Sequence, residues 1–484
     1  MSTSGNATPE IAGNPFWKDA VLLAVLVYGV IIRAVFLREP VRLDEFYTYF
    51  NYVIYPFRHI LSTYDVPNNH VFHSILARIF YLLGGTSETV LRLPAFLAGC
   101  ALIPAVYRLA LSLGLSRNSA RLAAFFTASS GGLIYYSVNA RGYSLQALLA
   151  VLCTSVYLSR GRGRLPLSAS ALLCALTVLV LYTVPTGLVF VLPFFLFMFL
   201  DPEGLSRGRI AALGACCFLL TAVLYAPVLR QMAAAMHDTV GGPLLPVLGV
   251  AVSTLTPGVM PSLLLLLCAF AGLFYSPKNV VRQSFFFSLV LLPPIGVVVL
   301  ALAFPSATLM PRSFLLLFPF AYLLAAAGME TILLRVFSGR WLRVSAAFFG
   351  LILLYGVWGD LGMVKDRSAL FYPDRGMYDY YRRTVRKTLE GLSKDGNCIL
   401  GTGAADSLAA FYASEKNPSL WCYSKYHNGL SSVVGVYILA DDPGNLLNFC
   451  RRQVDPREWL PPEAVDKYGS AGLYLMRRRP GRKS

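Results

Sequence analysis

Charged residues are scarce in this chain: Asp, Glu, Lys and Arg make up 14% of its 484 residues, against 56% hydrophobic ones. A soluble fold carries roughly 25% charged residues, so that class is excluded, and a mean hydropathy of +0.58 describes a protein immersed in lipid. Histidine is rarer still: there are five, with no metal-ligand spacing among them. Acidic residues number 25 against 42 basic ones, a net charge of +17. The basic residues fall mostly in short loops and near the C-terminus, where membrane topology accounts for them and nucleic acid need not. Residues Met1 to Pro15 lack a basic region and a small-residue cleavage site, so the first apolar run reads as a retained helix rather than a removed signal.

Long apolar runs are abundant. Segments of about 18 to 25 residues recur from Trp17 to Trp358, each long enough to cross a hydrocarbon core of about 30 Å as a helix. The basic clusters Arg108/Arg117/Arg121, Arg160/Arg162/Arg164, Arg207/Arg209, Lys278/Arg282 and Arg335/Arg340/Arg343 mark alternate connections. Placing them all in the cytoplasm satisfies the positive-inside rule. With the N-terminus inside, spans at 17–37, 90–112, 120–138, 143–159, 165–181, 184–200, 210–229, 257–276, 283–304, 311–334 and 341–358 predict about eleven helices. Residues 1–358 then form an all-α polytopic membrane domain, with 38–89 as its first outer loop. Residues 359–484 form a separate extracytoplasmic domain. Asn68 to Leu83 is too short for a span and would carry Arg78 into lipid, so it reads as an amphipathic surface helix. Counting it as a span would invert every later loop.

This topology gathers the polar residues able to do chemistry on one side: Asp44, Glu45, Asn69, His70, Arg92, Arg141, Tyr182 and Arg312. The pair Asp44-Glu45 stands just past the first span, in Val41-Arg-Leu-Asp-Glu-Phe-Tyr-Thr-Tyr49. A carboxylate can deprotonate a nucleophile, and Arg is the natural fork for a phosphate. Transfer of a sugar from a lipid phosphate fits both. Its leaving group is a weak base, so the reaction needs one carboxylate base and cations on the phosphate, but no general acid.

The chain resembles the type C glycosyltransferases, multi-span enzymes that use polyprenyl-phosphate sugars. Within them it is similar to the bacterial relatives of the protein O-mannosyltransferase and lipid A aminoarabinose transferase families. The resemblance runs in order through Leu43-Asp-Glu45, Asn69-His70, Arg92-Leu-Pro-Ala-Phe-Leu-Ala-Gly99, Ile103-Pro-Ala-Val-Tyr107, Tyr135-Tyr-Ser-Val-Asn-Ala-Arg-Gly-Tyr-Ser-Leu145, Tyr182-Thr and Pro311-Arg312. It implies that Asp44 is the catalytic base, with Glu45 orienting it or the acceptor. Arg92, Arg141 and Arg312 become candidates for the lipid phosphate, and Asn69, His70 and Tyr182 for the sugar pocket. The sequence departs from the common pattern with Asn-His-Val in place of His-Pro-Pro and with Val-Asn-Ala-Arg in place of an acidic residue before Ala-Arg. The donor sugar and any divalent metal therefore stay open, and no metal ligand is assigned. The implied partners are a polyprenyl-phosphate sugar donor, a glycolipid, glycan or protein acceptor, and membrane lipid. The implied location is the inner membrane of a bacterium, with the active site and C-terminal domain periplasmic.

Plainer roles compete for each residue. Asp44-Glu45 suits a helix start through the helix dipole. The three arginines suit headgroup anchoring at span ends. His70 and His73 suit the polar face of a surface helix. A flippase of lipid-linked sugars is a rival function, but it would place ionisable groups near mid-bilayer; a non-catalytic polyprenyl-phosphate-binding scaffold is another.

The C-terminal stretch reads as a small α/β layer. Its helix carries Tyr381, Val385, Leu389 and Leu392 on one stripe, and Asn397–Leu400, Val434–Leu439 and Gly472–Met476 read as short strands. Gly401-Thr-Gly403 is an incomplete nucleotide fingerprint and reads as a tight turn. Cys398, Cys422 and Cys450 allow one disulfide in an oxidising compartment, with the pair undetermined. The outer loop from Gln231 to Thr256, with Gly241-Gly242 as its hinge, is a candidate lid over bound donor.

Overall fold

The computed structural model describes residues 18–64, 69–159, 165–202, 204–237, 265, 267–270, 272, 311–336, 340–365, 375–392, 398–402, 409–412, 435–453 and 459–479. The spans expected at 257–276 and 283–304, the Gly241-Gly242 hinge and Cys422 lie wholly or mostly outside them. The chain divides into two compact units. One takes Met1–Val35, Leu61–His73 and Pro94–Val364; the other takes Phe36–Ile60, Ser74–Leu93 and Lys365–Ser484. The second unit thus unites stretches of residues 38–89 with the polar C-terminal stretch.

The described residues are mainly helical, and the apolar runs among them form helices with local breaks. Helix α1 spans Ala20–Phe36. Within residues 38–89 follow α2 (Leu43–Thr48), which runs on into a π-helical turn (Tyr49–Val53), then α3 (Phe57–Ser62) and α4 (Val71–Gly84). At 14 residues, α4 is about 21 Å long, short of a bilayer core. Its Arg78 donates through Nη1 to the Val53 carbonyl at 2.9 Å and lies over the Tyr81 ring.

Next come α5 (Glu88–Ser112), α6 (Arg117–Ser129), α7 (Gly131–Ser137), α8 (Tyr143–Leu158) and α9 (Leu167–Thr183). After them run α10 (Leu188–Leu200), α11 (Arg207–Tyr225), α12 (Leu229–His237), α13 (Phe318–Val336) and α14 (Arg340–Lys365). Among the described residues, three helices are long and apolar enough to cross a membrane: Glu88–Ser112, Arg207–Ala234 and Arg312–Ile332. Five shorter apolar helices accompany them, so the count of eleven spans is not reproduced.

The span expected at 120–138 is two helices. Ser130 leaves helical geometry and caps α7, its side chain accepting from the Leu133 N–H. A helix end leaves carbonyls without intrahelical donors, and a buried arginine takes two of them. Arg33, on α1, donates to Thr127 O at 3.1 Å and Ala128 O at 2.8 Å, and also to Gly29 O and Ser137 Oγ. A guanidinium inside an apolar helix is tolerated because its hydrogen bonds are met this way.

In the second unit, α15 (Arg375–Leu392) accompanies a four-stranded sheet. Strand β1 (Cys398–Thr402) runs parallel to β2 (Gly435–Ala440), and β4 (Ala471–Arg477) lies antiparallel to both β2 and β3 (Glu463–Tyr468). Helix α16 (Pro443–Gln453) brings Leu446 onto a core of Cys398, Val436, Ile438, Trp459 and Met476. Gly401 and Thr402 belong to β1, paired with Leu439 and Ala440, where a turn was expected. Cys398 is disulfide-bonded and Cys450 is a free thiol.

Candidate active site

In the second unit, the short helix α2 carries the acidic pair in its first turn. Glu45 reaches back so that its Oε2 accepts the Arg42 N–H at 3.0 Å, which closes the N-terminal turn. Successive helical residues project about 100° apart, and the two carboxylates part company. Asp44 stays half-buried while Glu45 is fully buried.

Glu45 is buried against Arg92 of α5. Arg92 Nε donates to Oε1 at 2.7 Å and Nη2 donates to Oε2 at 2.6 Å. The other N–H groups of Arg92 reach backbone carbonyls: Nη1 to Leu37 and Glu39, Nη2 to Pro40. A guanidinium has five N–H donors, and all five are used. This corrects the expectation that Arg92 holds the lipid phosphate, because it has no donor left to offer. It instead organises the segment leading to Asp44. Glu45 is likewise engaged by Arg92 and the Arg42 N–H, and Asp44 takes no part in that pairing.

In the first unit, a second constellation forms. The turn between α7 and α8 brings the Gly142 N–H to His70 Nδ1 at 2.8 Å and Arg141 Nη2 to His70 Nε2 at 3.0 Å. His70 and Arg141 are both buried. A side chain at Gly142 would meet Thr183 at 2.5 Å and His70 Nδ1 at 3.2 Å, so this close approach requires glycine. Arg312 opens a 3-10 turn (Pro311–Leu317) and lies 6.0 Å over the Tyr143 ring, which packs edge-on to His70.

Burial, and then the charges of Arg141, His73 and Arg312, hold the His70 imidazole well below its ordinary range. The ring is therefore neutral. Because the Gly142 amide can only donate, Nδ1 is the acceptor and the single ring proton belongs on Nε2. That N–H stands 3.0 Å from Arg141 Nη2.

The remaining expected residues are placed as follows. Asn69 is buried and donates through Nδ2 to the Thr63 carbonyl at 3.0 Å. Tyr182 is buried with its ring against Tyr225, centroids 5.2 Å apart. His70 and His73 are buried, not displayed on a polar helix face as the surface-helix reading expected.

Two residues went unnoticed in the sequence. Tyr64 is buried near Arg141; burial raises its hydroxyl to about 12, against the opposing pull of that cation. Gln231 brackets the same backbone, accepting from the Tyr64 N–H at 2.6 Å and donating to Ser62 O at 3.0 Å. Neither residue stands out by type or spacing in the sequence.

Among the described residues, no three His, Cys, Asp or Glu side chains converge as a metal cage.

No protein-family model matches the sequence, and no curated protein matches it. Solved structures do match. ArnT from Cupriavidus metallidurans in the apo state aligns with a TM-score of 0.58 at 12% identity, over 95% of this chain and 98% of that one. The same protein bound to undecaprenyl phosphate gives 0.57 at 12% identity, over 96% and 98%. The Archaeoglobus fulgidus oligosaccharyltransferase, in complex with Zn and sulfate, gives 0.52 at 15% identity, over 94% and 73%. The chain has the fold of the type C membrane glycosyltransferases that use polyprenyl-phosphate sugars.

Proposed function

We propose that this protein transfers a sugar from a polyprenyl-phosphate donor to a hydroxyl of a glycolipid, polysaccharide or protein, at the outer face of the cytoplasmic membrane. Asp44 takes the proton of the acceptor hydroxyl as its oxygen bonds to the anomeric carbon. The bond from that carbon to the phosphate oxygen breaks, and its electron pair leaves with the polyprenyl phosphate. Direct attack inverts the anomeric configuration. Arg141, Arg312 and the Nε2–H of His70 stabilise the departing phosphate, the main electrostatic demand of the step. Asn69 and Tyr182 line the sugar pocket.

The observation carrying this function is the buried pair of His70 and Arg141, 3.0 Å apart, with Arg312 lying over the Tyr143 ring that packs on His70. The fold adds support through its likeness to a structure of ArnT bound to undecaprenyl phosphate. Incubating the purified protein with a panel of radiolabelled polyprenyl-phosphate hexoses and pentoses tests it. Turnover in the wild type and its loss in Asp44→Asn are expected. Undecaprenyl phosphate binding with no turnover of any donor would make the protein a scaffold, and transbilayer movement of donor without turnover would make it a flippase.

A further inference from the structure

Helix α2 is six residues long, far below the roughly 12 to 15 at which an isolated helix holds itself. The position of Asp44 therefore depends on what grips the segment entering that helix. The grip comes from two sources within the second unit. Arg92 holds the carbonyls of Leu37, Glu39 and Pro40. The backbone groups between them are held by C-terminal residues: the Arg38 carbonyl accepts from Arg382 Nη1, and the Val41 N–H donates to the Tyr412 hydroxyl at 3.2 Å.

These C-terminal residues are tied to the same region a second time. Arg386 donates through Nη2 to both oxygens of the buried Glu88 carboxylate at 3.1 Å, and Arg382 lies 3.8 Å from it. The Arg386 guanidinium stacks 5.1 Å over the Tyr412 ring, and Phe411 meets Tyr49 edge-on. An unbroken run of contacts thus links Glu88, Arg386, Tyr412 and Val41.

We infer that Tyr412, Arg382 and Arg386 are positioning residues that aim Asp44 through the backbone of residues 38–41, so the C-terminal stretch belongs to the catalytic apparatus. The inference rests on Asp44 being the base. Its physical basis is the steep dependence of proton transfer on placement, where an error of about 1 Å costs on the order of 100-fold in rate.

The test pairs kinetics with hydrogen exchange in Tyr412→Phe, which removes one oxygen and keeps the ring. The Val41 amide should exchange about fivefold faster, the effect of losing one neutral hydrogen bond. In the same variant kcat should fall about tenfold with undecaprenyl phosphate affinity unchanged. Arg386→Ala should act the same way on kcat, and Arg386→Lys, which returns a cation to Glu88, should recover part of the loss. Wild-type kcat alongside faster exchange overturns the inference, as does unchanged exchange or a fall in donor affinity that matches the fall in kcat. If the wild type turns over no donor at all, glycosyl transfer fails instead, and the exchange measurement still decides whether Tyr412 holds this segment.

Discussion

Arg92 grips both carboxylate oxygens of Glu45, at 2.7 and 2.6 Å, with neither side chain exposed to solvent. The residue one step before Glu45 is half-buried and unlocked from that pair. Two adjacent carboxylates therefore sit in different surroundings, Glu45 closed on Arg92 and Asp44 half-buried beside it.

Asp44→Asn should abolish sugar transfer, by at least a hundredfold, while changing stability by no more than about 0.5 kcal/mol. Glu45→Gln should do the reverse first: removing one charged partner of a buried ion pair costs about 3 to 5 kcal/mol. Thermal unfolding in detergent, run beside a turnover assay, separates the two outcomes. A stable, fully active Glu45→Gln protein would contradict the division of roles.

Arg141→Ala and Arg312→Ala should each weaken undecaprenyl phosphate binding by roughly 10- to 100-fold, the worth of one charge-assisted contact. Arg92→Lys should leave that affinity near wild type, because no Arg92 donor is left to bind the phosphate. Equilibrium binding to detergent-solubilised protein distinguishes them, and equal losses in all three would return Arg92 to the phosphate site.

His70 gives a pH signature. Burial and its cationic neighbours hold the folded imidazole well below 6.5. Below that pH an unfolded chain binds a proton that the folded chain refuses. The associated stability is complete above about pH 6.5 and shrinks as pH falls further. His70→Asn keeps an acceptor for the Gly142 N–H but cannot protonate, so it should lose less stability than wild type between pH 7.5 and 5.5. Parallel melting curves at the two pH values are the measurement, and identical losses would show an imidazole that titrates normally.

Gly142→Ala should disturb the phosphate constellation from the backbone side, since its Cβ would stand 2.5 Å from Thr183 and 3.2 Å from His70 Nδ1. Displacing the ring moves Nε2 as well. The expected result is a loss of donor affinity of about tenfold with the helices intact by circular dichroism; unaltered affinity would mean that His70 need not stay in register with Arg141.

Much of the helical architecture among the described residues was legible because hydropathy is a local property, and an apolar run announces its helix. The strands with apolar faces, β1, β2 and β4, were equally plain. Strand β3 (Glu463–Tyr468) was not, because its charged, exposed side chains carry no burial pattern and only its pairing with β4 makes it a strand.

Arg92 and Arg141 show the boundary most clearly. In one dimension they are alike, single arginines in family-like motifs beside apolar runs. In three, Arg92 is closed on a carboxylate 47 residues away and Arg141 meets an imidazole 71 residues away. Composition and the order of short motifs were enough to establish a lipid-immersed chain of this general kind. Which cation closes on a carboxylate and which meets an imidazole depends on partners brought together by packing across long stretches of chain, and no local pattern of residues encodes them.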